Sequence, residues 1–301
     1  CKVFDYDLGQ KDTLFSTMDS IRYMERFMHC GFVAIAPHTG EVKAWVGDIN
    51  FQSWKYDKVL SKRQPGSTFK LFVYTEAMNQ GLSPCDLRVD ENIPWEVEEN
   101  GEKKLWMPHN ANGGATLDTM SLKMAFAQSV NTIAANIAHE VGIHQIATTA
   151  HRMGIQTKLE ETPALSLGAS DVSLLELVSA YGTVVNDGEA IQPTLITRVE
   201  NKDGKVIYQQ EAEATQAIPY ASAYLMQQML RGGLTCPKGT SQALWRFRIF
   251  DKGTEFGGKT GTSSNHSDAW FVGISPNLVG GAWVGGEYRS IHFRTGELGQ
   301  G

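Results

Sequence analysis

The sequence has no closely spaced cysteine pair. Its four cysteines, Cys1, Cys30, Cys85 and Cys236, are scattered with no C-x-x-C among them, which argues against a zinc ribbon or a thioredoxin-like redox site. Buried thiols and a single disulfide fit that number equally, so cysteine usage leaves the compartment open. A helical zinc pair is missing too. In "HEVGIH", His139 and His144 are five residues apart, about 140° around a helix, and we read them as helix-end histidines. No long basic run occurs, and 27 basic against 33 acidic residues give a net charge of −6. That balance lacks the cationic stripe a nucleic-acid partner calls for. No stretch approaches the roughly 20 apolar residues of a membrane span, and no signal peptide opens the chain. Internal repeats and low-complexity tracts are absent. The first residue is Cys1 rather than Met, so we expect the sequence to start inside a longer precursor.

What is present suits a large globular core. With 301 residues, 42% of them hydrophobic, the chain can build one big domain or two. "GFVAIAPHTGEVKAWVG" (31–47) is two β-rich runs around a His-Thr-Gly turn and reads as a hairpin. In "RQPGSTFKLFVYTEAMNQG", Pro65 and Gly66 break the chain, Ser67 can cap, and Phe69, Phe72, Val73 and Ala77 recur at helical spacing until Gly81. Ser67 is therefore expected at the N-terminus of a helix of about three to four turns. "WEVEENGEKK" (95–104) reads as a solvated hairpin or loop. Residues 116–142 are mostly apolar and helical, but polar residues at 128–131 suggest two helices with a short connection. "ASDVSLLELVSAYGTVVNDG" (169–188) is an amphipathic helix with Ser170 or Asp171 as its cap and Gly188 beyond its end. A hairpin turning at 202–204 follows, then a helix over 219–233 opened by Pro and closed by Gly. "DAWFVGISPNLVGGAWVGGEY" gives two strands around a Ser-Pro-Asn turn. Hairpin, helices, then a strand meander makes α+β with an antiparallel sheet the natural class.

One stretch, "GTEFGGKTGTSSNHSD" (253–268), supports two chemistries. Gly253, Gly258, Lys259 and Thr260 satisfy the phosphate-loop pattern G-x-x-x-x-G-K-[ST]. Lys259, Thr260 and Gly261 also spell K-T-G, a motif of serine acyl-enzymes. A phosphate loop needs a helix starting at its Lys-Thr, because the helix N-terminus supplies the field for the anion. Here the chain runs through Gly, Thr and Ser residues into Trp270, Phe271 and Val272, with no helical periodicity. No later apolar run ends in an Asp suited to Mg²⁺. The NTPase reading is the remote one.

The K-T-G reading needs partners upstream. "Ser67-Thr68-Phe69-Lys70" is the only S-x-x-K in the chain, and residues three apart on a helix share a face, so Lys70 can reach the Ser67 hydroxyl. A helix N-terminus there favours the serine alkoxide and a developing oxyanion. S-x-N occurs at 129–131, 263–265 and 275–277, and the last two fit ordinary turns. Only Ser129 lies between the nucleophile and K-T-G. Its polar break between apolar helices is costly unless it lines a cleft.

The ordered set "RQPGSTFK", "SVN" and "GGKTGTS" resembles the transpeptidase domain of penicillin-binding proteins. Longer segments, "MPHNANGGATLDTMSLKMAFAQSVNT" and "LSLGASDVSLLELVSAYGTVVNDG" among them, are similar to the bifunctional class A branch, and the likeness covers nearly everything from Gly31 on. The resemblance implies an antiparallel five-stranded sheet covered by helices on both faces, with an all-helical subdomain. It implies a D,D-transpeptidase that cross-links peptidoglycan stem peptides through a serine acyl-enzyme and is inhibited by β-lactams. Ser67 is then the nucleophile and Lys70 the general base, made acidic by burial and by Lys259. Ser129 passes a proton to the leaving amine and Asn131 bonds the substrate amide. Lys259 supplies positive potential, Thr260 and Thr262 bind a carboxylate, and Gly261 permits close approach. The backbone N–H groups of Ser67 and Thr262 form the oxyanion hole. On a strand Lys259 and Gly261 share one face while Thr260 and Thr262 share the other, so both threonines reach one substrate only if the strand bends near Gly261. No cofactor and no metal are implied.

The remaining expectations concern boundaries and rivals. We expect residues 1–30 to be a linker and first helix, and 31–301 the transpeptidase domain, ending at "GELGQG" without the family's closing helix. A glycosyltransferase domain is not in the sequence, and membrane attachment is expected only through an anchor outside it, on the extracytoplasmic side. Leu71 stands where the family often has Pro, a difference of packing rather than chemistry. A class A β-lactamase needs a Glu to activate water; Glu160 and Glu161 lie in the right interval, but "LEETPALSLGAS" lacks the E-x-x-x-N pattern. A D,D-carboxypeptidase, which differs only in using water as acceptor, and a non-enzymatic β-lactam sensor would carry the same motifs.

Overall fold

The computed structural model describes residues 1–99, 101–111, 113–251 and 253–293. The expected ending at "GELGQG" (296–301) lies outside the described residues. The hairpin read at 31–47 is present as β1 (His29–Ile35) and β2 (Val42–Val46), turned through Gly40 at φ +73°. The K-T-G segment forms β3 (Gly257–Thr262), followed by β4 (Asp268–Ser275) and β5 (Leu278–Gly285). These five make one antiparallel sheet in the order β3-β4-β5-β1-β2, which puts K-T-G on an edge strand. A strand running straight through Lys259 and Thr260 has no helix N-terminus to offer a phosphate.

Helices α1 (Thr17–Met24), α2 (Lys70–Asn79), α3 (Leu122–Ala127), α4 (Asn131–Val141), α5 (Ile143–Arg152), α6 (Leu174–Val185) and α7 (Tyr220–Thr235) complete the frame. Alternation along β4 sends Trp270, Val272 and Ile274 to one side, beside Trp283 and Val279 of β5. That side is buried under α6 and α7, each such side chain contributing roughly 1.5–3 kcal/mol. The other side carries Phe32, Val46 and Val284, exposed by 38%, 43% and 37%. Helical cover on both faces is therefore met on one: among the described residues only α6 and α7 make extensive helix contact with the sheet. None of the described helices is long and apolar enough to cross a membrane.

The helical subdomain is built around α2, in which every residue from Lys70 to Met78 is buried. It packs against α4, α5 and α7. Leu71 is fully enclosed there, so a branched apolar side chain replaces proline inside the core. The polar break at 128–131 is present: α3 ends at Ala127 and α4 starts at Asn131. His139 closes α4 and His144 opens α5, on separate helices, with His144 Nδ1 2.9 Å from Glu161.

Three local expectations are corrected. The cap of α6 is Ser173, in a reciprocal capping box with Glu176, not Ser170 or Asp171. Val172 and Ser173 first pair as a two-residue strand with Arg63 and Lys62, which delays the helix. Gly232 and Gly233 do not end α7, which runs on to Thr235. A Cβ at Gly233 would sit 2.9 Å from the Gly258 carbonyl, so Gly233 lets α7 lie against β3, while Gly232 faces Lys123 and Ala127 of α3. Before α1, where a linker was expected, the chain makes a hairpin from Lys2–Asp5 and Gly9–Asp12. Phe4 of that hairpin meets Phe27 and Trp54 edge-on at 4.9 and 5.0 Å, geometry that rewards aromatic pairs beyond their area. The hairpins at 95–106 and 198–209 form as read.

Candidate active site

Ser67 lies on a 3-10 turn, Gly66–Phe69, that feeds directly into α2. The expected helix N-terminus is there, but its first turn is 3-10 and no cap bond from the Ser67 side chain is present among the described residues. The turn is tied down from all sides. Thr68 Oγ1 donates to the Pro65 carbonyl at 2.7 Å, Tyr181 donates to the Thr68 carbonyl at 2.9 Å, and Trp270 Nε1 donates to the Gln64 carbonyl at 2.8 Å. Edge strand β3 runs against it with no room to spare. A Cβ on Gly261 would stand 2.4 Å from the Pro65 oxygen, and one on Gly66, at φ +53°, would stand 2.4 Å from the Thr262 oxygen. Glycine at 261 is thus required by backbone approach, as its place in the motif suggested.

Ser67 is half-buried and opens into a cleft of about 450 Å³, shared with Trp106, His109, Asn131, Thr262 and His266. Behind it three motifs converge. Lys70 Nζ donates to the Ser129 carbonyl at 2.7 Å and to Asn131 Oδ1 at 2.6 Å, and stands 3.2 Å from Ser129 Oγ. Lys259 Nζ lies 2.9 Å from the same Ser129 Oγ and 3.0 Å from the Thr260 carbonyl. Both lysines are buried, Lys70 at 0% and Lys259 at 1% exposure. Among the described residues no hydrogen bond joins Lys70 to Ser67. The expectation of a direct contact is corrected, because the Lys70 amine turns to the acceptors of the Ser129–Asn131 turn. Ser129 occupies the left-handed region at φ +59°, a conformation in which a residue with a Cβ is strained by about 1–3 kcal/mol. That turn aims its hydroxyl at both amines.

Two ammonium groups on one hydroxyl cannot stand more than about 6 Å apart, and at an effective dielectric near 20 their repulsion is about 3 kcal/mol. Burial, and then the Lys259 charge, hold Lys70 well below the ordinary lysine range. Burial brings Lys259 down to about 7. A neutral Lys70 has two N–H groups for the Ser129 carbonyl and Asn131 Oδ1, leaving its lone pair to accept the Ser129 O–H, while Lys259 donates to Ser129 Oγ. The cluster is a short hydrogen-bonded path with one lysine at each end, continuous enough to serve as a proton wire.

The same shifts reach stability. A lysine whose folded pKa is depressed binds fewer protons folded than unfolded between its folded pKa and its unfolded value near 10.4, so stability rises with pH across that window. For Lys259 the window opens at about 7. Urea unfolding of wild type and Lys259→Met from pH 7 to 10 is expected to show a difference in stability growing by about 1.4 kcal/mol per pH unit in favour of wild type. Parallel curves would mean that Lys259 keeps its proton in the fold.

Gly261 and Lys259 point inward and Thr260 and Thr262 outward, as strand alternation requires. The two threonines are not equivalent. Thr262 lines the Ser67 cleft, while the Thr260 hydroxyl donates to Thr240 Oγ1 at 2.8 Å. Thr240 was not foreseen, since nothing near it in sequence hints at the strand it meets. Asn110 was also missed; its side chain accepts from the Asn131 backbone N–H at 2.9 Å. Glu160 and Glu161 are exposed, and no lining residue of the cleft is acidic among the described residues.

Comparison with known proteins places this geometry. Residues 30–284 match the penicillin binding protein transpeptidase domain family. Penicillin-binding protein 2D of Bacillus subtilis is 32% identical over 257 residues, 85% of this chain and 37% of that protein. The chain thus spans little more than a third of that curated relative's length. The crystal structure of penicillin-binding protein 1A from Haemophilus influenzae superposes with a TM-score of 0.79 at 25% identity, covering 88% of this chain and 44% of that one. The PonA1 protein from Mycobacterium tuberculosis in complex with penicillin V gives 0.71 at 23%, covering 86% and 69%, and shares the fold. A match over residues 30–284 takes in the Ser67 turn, the Ser129–Asn131 break and the Lys259 strand together, and the chain belongs to the penicillin-binding protein transpeptidase domain family.

Proposed function

We propose that this chain is a serine D,D-transpeptidase, acylated at Ser67 by peptidoglycan stem peptides and by β-lactams. The observation that carries the reading is the convergence of Lys70 and Lys259 on the Ser129 hydroxyl behind the Ser67 cleft. Ser67 Oγ attacks the carbonyl of the penultimate D-Ala, and neutral Lys70, one turn along, turns its lone pair from the Ser129 hydroxyl to take the Ser67 proton. The backbone N–H groups of Ser67 and Thr262 receive the oxyanion; Ser67 opens its helix, where N–H groups lack intrahelical acceptors. The proton then moves through Ser129 to the departing amine, and the terminal D-Ala leaves. A second stem peptide's amine attacks the ester, the proton returns by the same wire, and Ser67 is restored. Asn131 bonds the substrate amide, Thr262 faces its carboxylate from the cleft wall with Thr260 on the same side of the strand, and buried Lys259 supplies positive potential from behind. Residues from 31 onward form the transpeptidase domain, working on the extracytoplasmic side, where its substrate lies.

Among the described residues the cleft presents no carboxylate of the kind a class A β-lactamase uses to activate water, which favours acyl transfer over β-lactam hydrolysis. Intact mass of the protein mixed with penicillin is expected to show one added penicillin that persists for hours and maps to the peptide bearing Ser67. Return to the free mass within minutes would make the chain a β-lactamase. A stable adduct without D-Ala release from any stem peptide would make it a sensor, and release to water alone a carboxypeptidase.

A further inference from the structure

Behind the Ser129–Asn131 turn lies a second polar cluster that the proton wire does not use. Asp90 is 1% exposed and has no cation as a hydrogen-bond partner among the described residues. Its carboxylate is instead filled by donors. Asn110 Nδ2 reaches both oxygens at 3.0 and 3.2 Å, the Thr116 N–H and hydroxyl each reach it at 2.9 Å, and the Thr132 hydroxyl makes a short bond to it. A carboxylate this deep is costly unless hydrogen bonds replace its water. Burial alone would raise its pKa, but these bonds outweigh it and hold the group below the usual range, so it stays ionised.

The consequence runs through Asn110. An ionised carboxylate only accepts, so the Asn110 amide must turn its NH₂ to Asp90 and its carbonyl away. That carbonyl meets the backbone N–H groups of Asn131 and Thr132 at 2.9 and 3.3 Å. These N–H groups open α4, whose N-cap position is held by Val130, a residue with no side chain able to cap. Asn110 therefore caps α4 from another part of the chain. The neighbouring His109 carbonyl accepts from Asn131 Nδ2 at 2.8 Å, which leaves Asn131 Oδ1 facing Lys70 at 2.6 Å. One chain of forced donors and acceptors links Asp90, Asn110, Asn131 and Lys70.

We infer that Asp90 and Asn110 are positioning residues for acyl transfer: they fix where α4 begins and so hold the Asn131 side chain between Lys70 and the substrate. This rests on the reading of Asn131 and Lys70 given above. The same contact explains why the stretch 106–111, which lines the cleft on the side of Trp106 and His109, is anchored at its far end to a buried charge. Neither Asp90 nor Asn110 lines up with a catalytic motif in sequence, 41 and 21 residues before Asn131.

The test is the second-order rate of labelling by a fluorescent penicillin, with Ser67→Ala as the blank for the parent reading. Asn110→Ala is expected to slow labelling at least about 10-fold, since small misplacements cost that much or more. Asp90→Asn should do the same. Thr116→Val removes a bond to Asp90 without touching Asn110, and should lower the melting temperature while labelling at the wild-type rate. The decisive measurement is a double-mutant cycle. If Asn110 acts through the Asn131 side chain, Asn110→Ala adds nothing in an Asn131→Ala background. Independent, multiplying effects in the cycle, or wild-type labelling by folded Asn110→Ala, would overturn the inference. Should Asp90→Asn fail to fold, the cycle still decides. Unlabelled wild type, or equal labelling of Ser67→Ala, would instead overturn the parent reading.

Discussion

Replacing Ser67 with alanine is expected to abolish covalent labelling by a fluorescent penicillin, a loss of at least about 10³-fold, and to leave the fold intact. The structure supports both halves. Ser67 is half-buried at the mouth of the cleft, and no hydrogen bond of its hydroxyl is present among the described residues. The turn holds its shape through Thr68, Tyr181 and Trp270 instead. Removing one oxygen from such a site changes stability by about 0.5 kcal/mol or less. The competing nucleophile is Ser129, whose hydroxyl already touches two amines. Yet Ser129 is not among the described residues that line the cleft, and its hydroxyl is already held between Lys70 and Lys259. Labelling that survives Ser67→Ala and disappears in Ser129→Ala would reverse the two roles. Equal labelling of Ser67→Ala and wild type would end the acyl-enzyme reading at Ser67.

The contrast between these serines marks the boundary of what sequence can say. Features set by neighbours in the chain were legible. The hairpin at 31–47, the helix break at 128–131 and the strand through K-T-G each carry their own periodicity and turn residues. So was the alternation that turns Lys259 inward and Thr262 outward. Features set by distant neighbours were not. Ser170 and Asp171 are good caps, but pairing of Val172 and Ser173 with Arg63 and Lys62 moved the helix start. Gly232 and Gly233 look like a stop signal, yet α7 runs on past them, and Gly233 serves its approach to β3. A three-residue spacing puts Lys70 on Ser67, but the amine turns to acceptors 59 and 61 residues away. Asp90 and Asn110 have no local pattern at all, since a buried carboxylate that orients an amide is visible only once the chain has closed around it.

Replacing Lys70 with methionine is expected to cost about 10³-fold or more in acylation, the upper part of what a positioned general base contributes. Methionine keeps the length and the apolar stem, so the packing of α2 survives, but its thioether is not basic enough to take the Ser67 proton. Two energetic consequences oppose each other. Losing a buried amine removes a desolvation cost and the repulsion with Lys259. Stripping the Ser129 carbonyl and Asn131 Oδ1 of their donor costs about 1–3 kcal/mol for each acceptor left unpaired. Stability should therefore change far less than activity, which separates the chemical role of Lys70 from its structural one. Lys70→Arg sharpens the distinction. A guanidinium can satisfy both acceptors but cannot give up its proton, so it restores donors without restoring a base and should acylate no better than methionine. A methionine variant acylated within about 10-fold of wild type would move the base to the other end of the wire, to Lys259. Burial brings that amine to about 7, where it too is partly neutral, and the Lys259→Met variant would then show the larger loss.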